Sequence, residues 1–176
     1  MGKVSDAVAT IRKDSRYIKL TKTYASNPSY RINCEQLLDE IMQLNSMRMV
    51  RRLDTSDPMF ANKLVASMAQ DTSFRGRASD ILIQCHRIIA GITIVIKQLS
   101  SIYLISYSNT LKEFKTQRER EALITCVFKD FYTFISEVET VQKSAEIFVQ
   151  DIDKASWQMQ SMAGIYKIHF VKEQGL

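Results

Sequence analysis

The densest chemistry in the sequence lies near its start, where Arg12, Lys13, Arg16, Lys19 and Lys22 are interleaved with Tyr17 and Tyr24. Cationic side chains can track phosphates while aromatic rings stack on bases, so the pattern fits single-stranded nucleic acid. The same residues suit docking on an acidic protein partner. Arg48 and Arg52, four apart, would share one helical face and add a second cationic contact. Arg75, Arg77, Arg118 and Arg120 form a third set, placed near the starts of two expected helices. In an antiparallel pair those starts lie at opposite ends, so this set makes no single patch.

Nothing in the sequence reads as catalytic. Asp151 and Asp153 are two apart, as are Glu137 and Glu139, and on a helix such pairs do not face each other. Cys85-His86 is an adjacent pair of soft ligands, but Cys85 falls on an apolar seam and reads as a small buried hydrophobe. No two of the three cysteines have metal-ligand spacing. No phosphate loop, nucleophile elbow or metalloprotease motif occurs. The expectation is a non-enzyme with no metal, no cofactor and no small-molecule substrate.

The elements that would carry these residues are helical. Thr116 and Glu119 form a capping box. Behind it, every seventh residue from Ile124 through Phe131, Val138, Ala145, Ile152 and Met159 to Tyr166 is apolar. A companion row holds Val127, Phe134, Val141, Phe148, Ala155 and Met162, ending at His169. No proline interrupts 117–172, so one helix about 84 Å long is expected there. Upstream, Phe74, Ala78, Ile81, Cys85, Ile88, Ile92, Val95, Leu99 and Ile102 alternate spacings of four and three, an a/d seam over 74–114. A connection as short as the one near 115 favours antiparallel packing.

Two shorter helices are expected before this pair, over about 34–53 and about 58–70. Asp57-Pro58 supplies a helix start, because the missing proline N–H costs nothing in the first turn. Gly91, inside the seam helix, would let a neighbour approach closely. The fold class is thus all-α: a long, coiled-coil-like antiparallel hairpin (74–114 and 117–172), two shorter N-terminal helices and a basic arm. The arm covers 1–32, and 33–176 forms a single helical domain.

The 176 residues are 45% apolar and 24% charged, with five Gly and two Pro, which excludes collagen-like, low-complexity and mostly disordered chains. The net charge of +5 is graded along the chain. Residues 1–33 carry seven basic and two acidic side chains, 34–120 twelve and nine, and 121–176 five and eight. The segment 88–107 has Lys97 and Gln98 at its centre, where a lysine costs about 3 kcal/mol on insertion scales, so a buried soluble helix is expected rather than a span. The first residues lack an apolar core of signal-peptide length, and unpaired cysteines suit a reducing compartment. The expected location is the cytoplasm, or an intracellular or viral assembly.

An 84 Å stripe exceeds the roughly 60 Å of the helix expected to cover it. Phe131, Val138, Phe148, Ile152, Met159, Met162, Tyr166 and Phe170 are therefore the expected helix–helix or subunit contacts, and the end from Met159 onward is expected to lie uncovered. The function expected is interaction or assembly within a larger complex, with other protein subunits or further copies as partners and no membrane contact. Binding of single-stranded nucleic acid by the arm is the alternative.

Overall fold

The computed structural model describes every residue except 1, 31, 55 and 174–176; the side chains of 2, 29, 51, 52 and 168–173 also lie outside the description. Arg52 and Phe170, both expected contacts, lie outside the described residues on this count. The described chain is all-α and contains no strand. Its helices are α1 (Gly2–Arg12), α2 (Ser15–Ser26), α3 (Cys34–Met47), α4 (Phe60–Ser106), α5 (Gln117–Val127) and α6 (Lys129–Glu173). Short 3-10 turns over Pro28–Tyr30 and Met49–Arg52 follow α2 and α3.

Local chemistry accounts for the helix starts. Asp14 caps α2 by accepting the Arg16 amide at 2.8 Å. The capping box of α5 is complete: Thr116 Oγ1 accepts the Glu119 amide at 3.1 Å, and the Glu119 carboxylate accepts the Thr116 amide at 3.0 Å. Asp57 accepts the Met59 amide at 2.8 Å, and α4 opens just beyond, at Phe60.

Several boundaries differ from the sequence expectation. The helices expected over 58–70 and 74–114 are one, because Gln70-Asp71-Thr72-Ser73 contains no Gly or Pro, and Asp71 turns inward to Arg48 instead of capping a new helix. At the other end, Tyr107–Phe114 forms successive turns, with the Leu111 amide on the Tyr107 carbonyl at 2.9 Å. Ser108, Asn109 and Thr110 compete there with the backbone for hydrogen bonds. The helix expected to reach Leu53 stops at Met47, since Arg48 adopts an extended conformation (φ −61°, ψ 120°). Arg75 and Arg77 consequently lie well inside α4 and not at a helix start.

The chain forms two compact units, each containing part of α4 and part of α6. Unit 1 comprises Met1–Asn33 and Gln84–Thr140; unit 2 comprises Cys34–Ile83 and Val141–Leu176. The long helix α4 packs against α6. In unit 2, Phe60 meets Tyr166 with ring centroids 5.7 Å apart, and Arg75 Nε donates to Asp153 at 2.7 Å. Phe60, Leu64 and Met159 form a buried cluster flanked by Val50, Leu53, Met68 and Ala163. Met159, expected at an uncovered end, is therefore enclosed, because the start of α4 and the 3-10 turn after α3 close over it.

The buried face of α4 in unit 1 includes Cys85, Ile88, Ile92, Ile96, Leu99 and Tyr103. The two consecutive spacings of four at Ile88–Ile92–Ile96 form a stutter that shifts the stripe by one position. Ile96 and Tyr103 are buried in consequence, whereas Ile102, expected in the seam, is exposed.

A second interruption separates α5 from α6 at Phe128, which leaves helical geometry (φ −97°, ψ 12°). An arginine side chain engages the backbone at this break. Arg12 Nε donates to the Val127 carbonyl at 3.1 Å, and Arg12 Nη2 lies 3.2 Å from Asp130 in the first turn of α6. One guanidinium thus meets the negative end of α5 and a carboxylate at the positive end of α6. Phe128 is completely buried, stacked on Tyr103 at 6.0 Å and 7°.

Gly91 has a defined use. A Cβ there would lie 3.0 Å from the Tyr30 hydroxyl, so glycine admits the ring of the turn after α2.

Phe131 is buried and meets Tyr17 and Tyr24 edge-on at 6.2 and 5.5 Å. Phe131→Ala should destabilise the protein by about 3–5 kcal/mol, measured by chemical denaturation followed by circular dichroism. Stability equal to the parent would show that this aromatic cluster does not hold unit 1 together.

Candidate interaction surfaces

The arm is built of two helices, α1 and α2, that form part of unit 1. Asp14 organises the junction between α1 and α2. Its carboxylate accepts Arg16 Nε at 2.9 Å and Nη2 at 2.7 Å, and the Tyr107 hydroxyl donates to Asp14 Oδ2 at 2.8 Å. The Arg16 guanidinium also lies 5.2 Å from the centre of the Tyr103 ring. Hydrogen bonding from Arg16, reinforced by Tyr107, holds the Asp14 carboxyl well below the usual carboxylate range against an opposing desolvation. Desolvation pushes the Tyr103 hydroxyl up to about 12, and that hydroxyl is buried with no hydrogen-bond partner among the described residues.

Two of the arm's three tyrosines, Tyr17 and Tyr24, pack against the phenylalanines of unit 1. Tyr17 is buried against Phe128 and Phe131, while Tyr24 meets Phe131 and Phe134 and stacks on Tyr30 at 6.1 Å. Arg12 and Arg16 are engaged within the unit, through Val127 and Asp130 and through Asp14. Lys13, Lys19 and Lys22 are exposed. The structure therefore divides the seven arm residues expected to contact a partner into four that hold the arm and three that face solvent.

Arg48 lies in the interior of unit 2, its side chain 1% exposed. Its Nε and Nη2 donate to both oxygens of Asp71 at 2.9 and 2.7 Å, a bidentate pair, and Nη1 lies 3.5 Å from Asp151. An arginine in this position stands away from any surface patch, which corrects its placement as an outward contact: the extended backbone at residue 48 directs it toward α4. The carboxylates two apart on α6 face cations, Asp151 toward Arg48 and Asp153 toward Arg75. Arg77 pairs with Glu40 of α3 at 2.6 Å, and Arg120 donates to the Phe114 carbonyl at 3.0 Å. Among the described residues no group of three or more His, Cys, Asp or Glu side chains could hold a metal ion.

Of the stripe residues on α6, Phe131, Val138, Phe148, Ile152 and Met159 are buried, while Met162 and Tyr166 are exposed. Unit 2 also exposes large apolar residues that sequence reasoning does not single out: Met42, Met47, Met49, Met59, Val65, Ile83, Ile147, Ile165, and Trp157, which is 71% exposed. Trp157 belongs to none of the apolar rows of its helix, and a tryptophan outside the stripe was the available signal.

No family model, curated protein or solved structure matches this chain.

Two predictions rest on this geometry. Removing one partner of the buried pair, by Arg48→Met or Asp71→Leu, should cost about 3–5 kcal/mol because the other charge is stranded. The double variant should recover most of that loss in equilibrium unfolding, and additive losses would show that the two side chains act separately. For Asp14, the folded state releases the proton more readily than the unfolded chain does. Its stabilisation is present above the unfolded carboxyl range near pH 4 and fades as pH falls further. Asp14→Asn should lower stability at neutral pH and flatten the decline of stability in acid; an unchanged acid profile would show that the Asp14 carboxylate does not fasten the junction between α1 and α2.

Proposed function

We propose that this protein is a non-enzymatic helical interaction protein, a subunit that assembles with other protein subunits through unit 2. The observation that carries the reading is the concentration of large exposed apolar side chains in that unit: Met42, Met47, Met49, Met59, Trp157 and Ile165. Methionine adapts to irregular partner surfaces, and tryptophan is enriched at binding hot spots. Scattered exposed apolar residues are ordinary, but methionines on α3 and the turns after it, with the chain's one tryptophan on α6, are an unusual set to leave in water. In the proposed architecture α4 and α6 run antiparallel within each unit as a coiled-coil-like pair. The contacts of residue 60 with 166 and of 75 with 153 support that register.

The alternative, single-stranded nucleic acid on the arm, needs tyrosine faces free to stack, and those of Tyr17 and Tyr24 are engaged with phenylalanines. It is the weaker proposal for that reason.

Trp157, as the only tryptophan, reports directly on whether its face becomes covered. Across a micromolar concentration series, light scattering should show growth beyond the monomer mass while Trp157 emission shifts to the blue. Trp157→Ser should weaken that association by about 2 kcal/mol or more, as expected of a hot-spot aromatic. A monomer mass throughout, with emission characteristic of water-exposed indole, would count against self-assembly through this face.

A further inference from the structure

The two units differ in charge, and the difference has a chemical direction. Unit 1 contains 14 basic and eight acidic residues, whereas unit 2 contains ten and 11. Acidic residues are absent from 15–34 and from 81–112, which include α2 and most of the unit 1 part of α4. Several of the resulting cations, Lys13, Lys19, Lys22, Arg87 and Lys97, are exposed and make no ion pair among the described residues.

On α4 these cations share a face with apolar side chains. Arg87, Ala90, Ile94, Lys97, Ser101 and Ile105 follow one another at spacings of three and four, opposite the buried seam, and all are exposed. Ile94 is 55% and Ile105 78% exposed. The most apolar 18-residue window of α4 has a mean hydropathy of 1.9, and 28% of its residues are buried. On α2, Ile18 is exposed beside Lys19 and Lys22, which lie within one turn on the same side.

We propose that unit 1 docks on an anionic lipid surface through the α4 stripe Arg87–Ile94–Lys97–Ile105 and the α2 face Ile18–Lys19–Lys22. Charge complementarity argues for an anionic partner, and the kind of exposed side chain argues for lipid. A polynucleotide would be gripped by stacking rings, but Tyr17 and Tyr24 are turned inward, while aliphatic Ile18, Ile94 and Ile105 face out. Aliphatic side chains next to lysines match the boundary between acyl chains and anionic headgroups. Lys97, unfavourable in the middle of a span, is well placed at such a boundary.

The test is co-sedimentation of the full chain with phosphatidylcholine vesicles that contain or lack about one-third phosphatidylserine. Binding should require phosphatidylserine and weaken as ionic strength rises toward physiological. Each surface lysine contributes about fivefold, so combined Lys19→Ala, Lys22→Ala and Lys97→Ala should reduce partitioning roughly 100-fold. Ile94→Ser with Ile105→Ser should reduce it about tenfold with charge unchanged. Lys143→Ala, an exposed position in unit 2, should leave it unaffected. Unchanged circular dichroism would assign these losses to the surface and not to unfolding. Failure to bind phosphatidylserine vesicles at low salt, or equal binding to both vesicle types, would overturn the proposal. So would binding of a labelled single-stranded oligonucleotide, insensitive to the isoleucine changes, where vesicles are not bound. None of these readouts depends on Trp157 or on the mass in solution, so this proposal and the assembly reading fail separately.

Discussion

Two helices of 47 and 45 residues, each about 70 Å long, carry apolar stripes that must be kept from water along their length. Burying one isoleucine or phenylalanine contributes about 1.5–3 kcal/mol, whereas an exposed ion pair contributes about 0–1 kcal/mol. The stripes therefore dictate placement, and pairs such as Lys3–Glu113 only decorate it. In unit 1 the remaining chain meets this demand by laying α1 along α5 and seating Tyr17 and Tyr24 against Phe128, Phe131 and Phe134. In unit 2 the 3-10 turn after α3 covers the cluster around Met159.

Arginine geometry determines how these additions are fastened. The planar guanidinium can bind a carboxylate through two parallel hydrogen bonds, or reach a carbonyl and a carboxylate together, as lysine cannot. Arg48 uses the first mode in a buried position, where the pair fixes the direction of the chain leaving α3 more than it adds net stability. Arg12 uses the second, at the cost of one irregular residue between α5 and α6. Both are residues whose charge suggests an outward contact, and both are drawn inward by groups distant in sequence.

That contrast explains what was legible in the sequence. Helical periodicity is local, so the all-α class, the seam residues from Ile81 to Ile92, the burial of Phe131 to Ile152 and the capping box at Thr116 could be read directly. The continuity of α4 through Asp71 could not, because the partner that makes Asp71 an interior residue is 23 positions away. The group that engages the break at Phe128 is Arg12, 115 positions from the carbonyl that accepts from it. The stutter at Ile88–Ile92–Ile96 puts Ile96 and Tyr103 where the regular pattern puts Val95 and Ile102, and that choice depends on which neighbour packs there. For the candidate contacts, the charge pattern of the arm was plain, while the inward direction of its tyrosines depended on the unseen phenylalanines of α6.

The places where the chain departs from the most stable arrangement are informative in their own right. A buried Tyr103 hydroxyl without a partner among the described residues costs on the order of 1–3 kcal/mol compared with a satisfied one, and phenylalanine would fill the same stacked position on Phe128 without that loss. Trp157 in water and Ile105 on the outer face of α4 likewise add nothing to the folding of an isolated chain. Sequences that break local rules usually do so where another demand competes with stability. In unit 2 the exposed residues are large and deformable, suited to a protein surface of irregular shape. In unit 1 they are aliphatic apart from Tyr132, and Ile18, Ile94 and Ile105 are set among cations, suited to a broad anionic plane. The two proposed surfaces thus differ in chemistry, deformable side chains facing a protein in unit 2 and aliphatic side chains among cations facing lipid in unit 1.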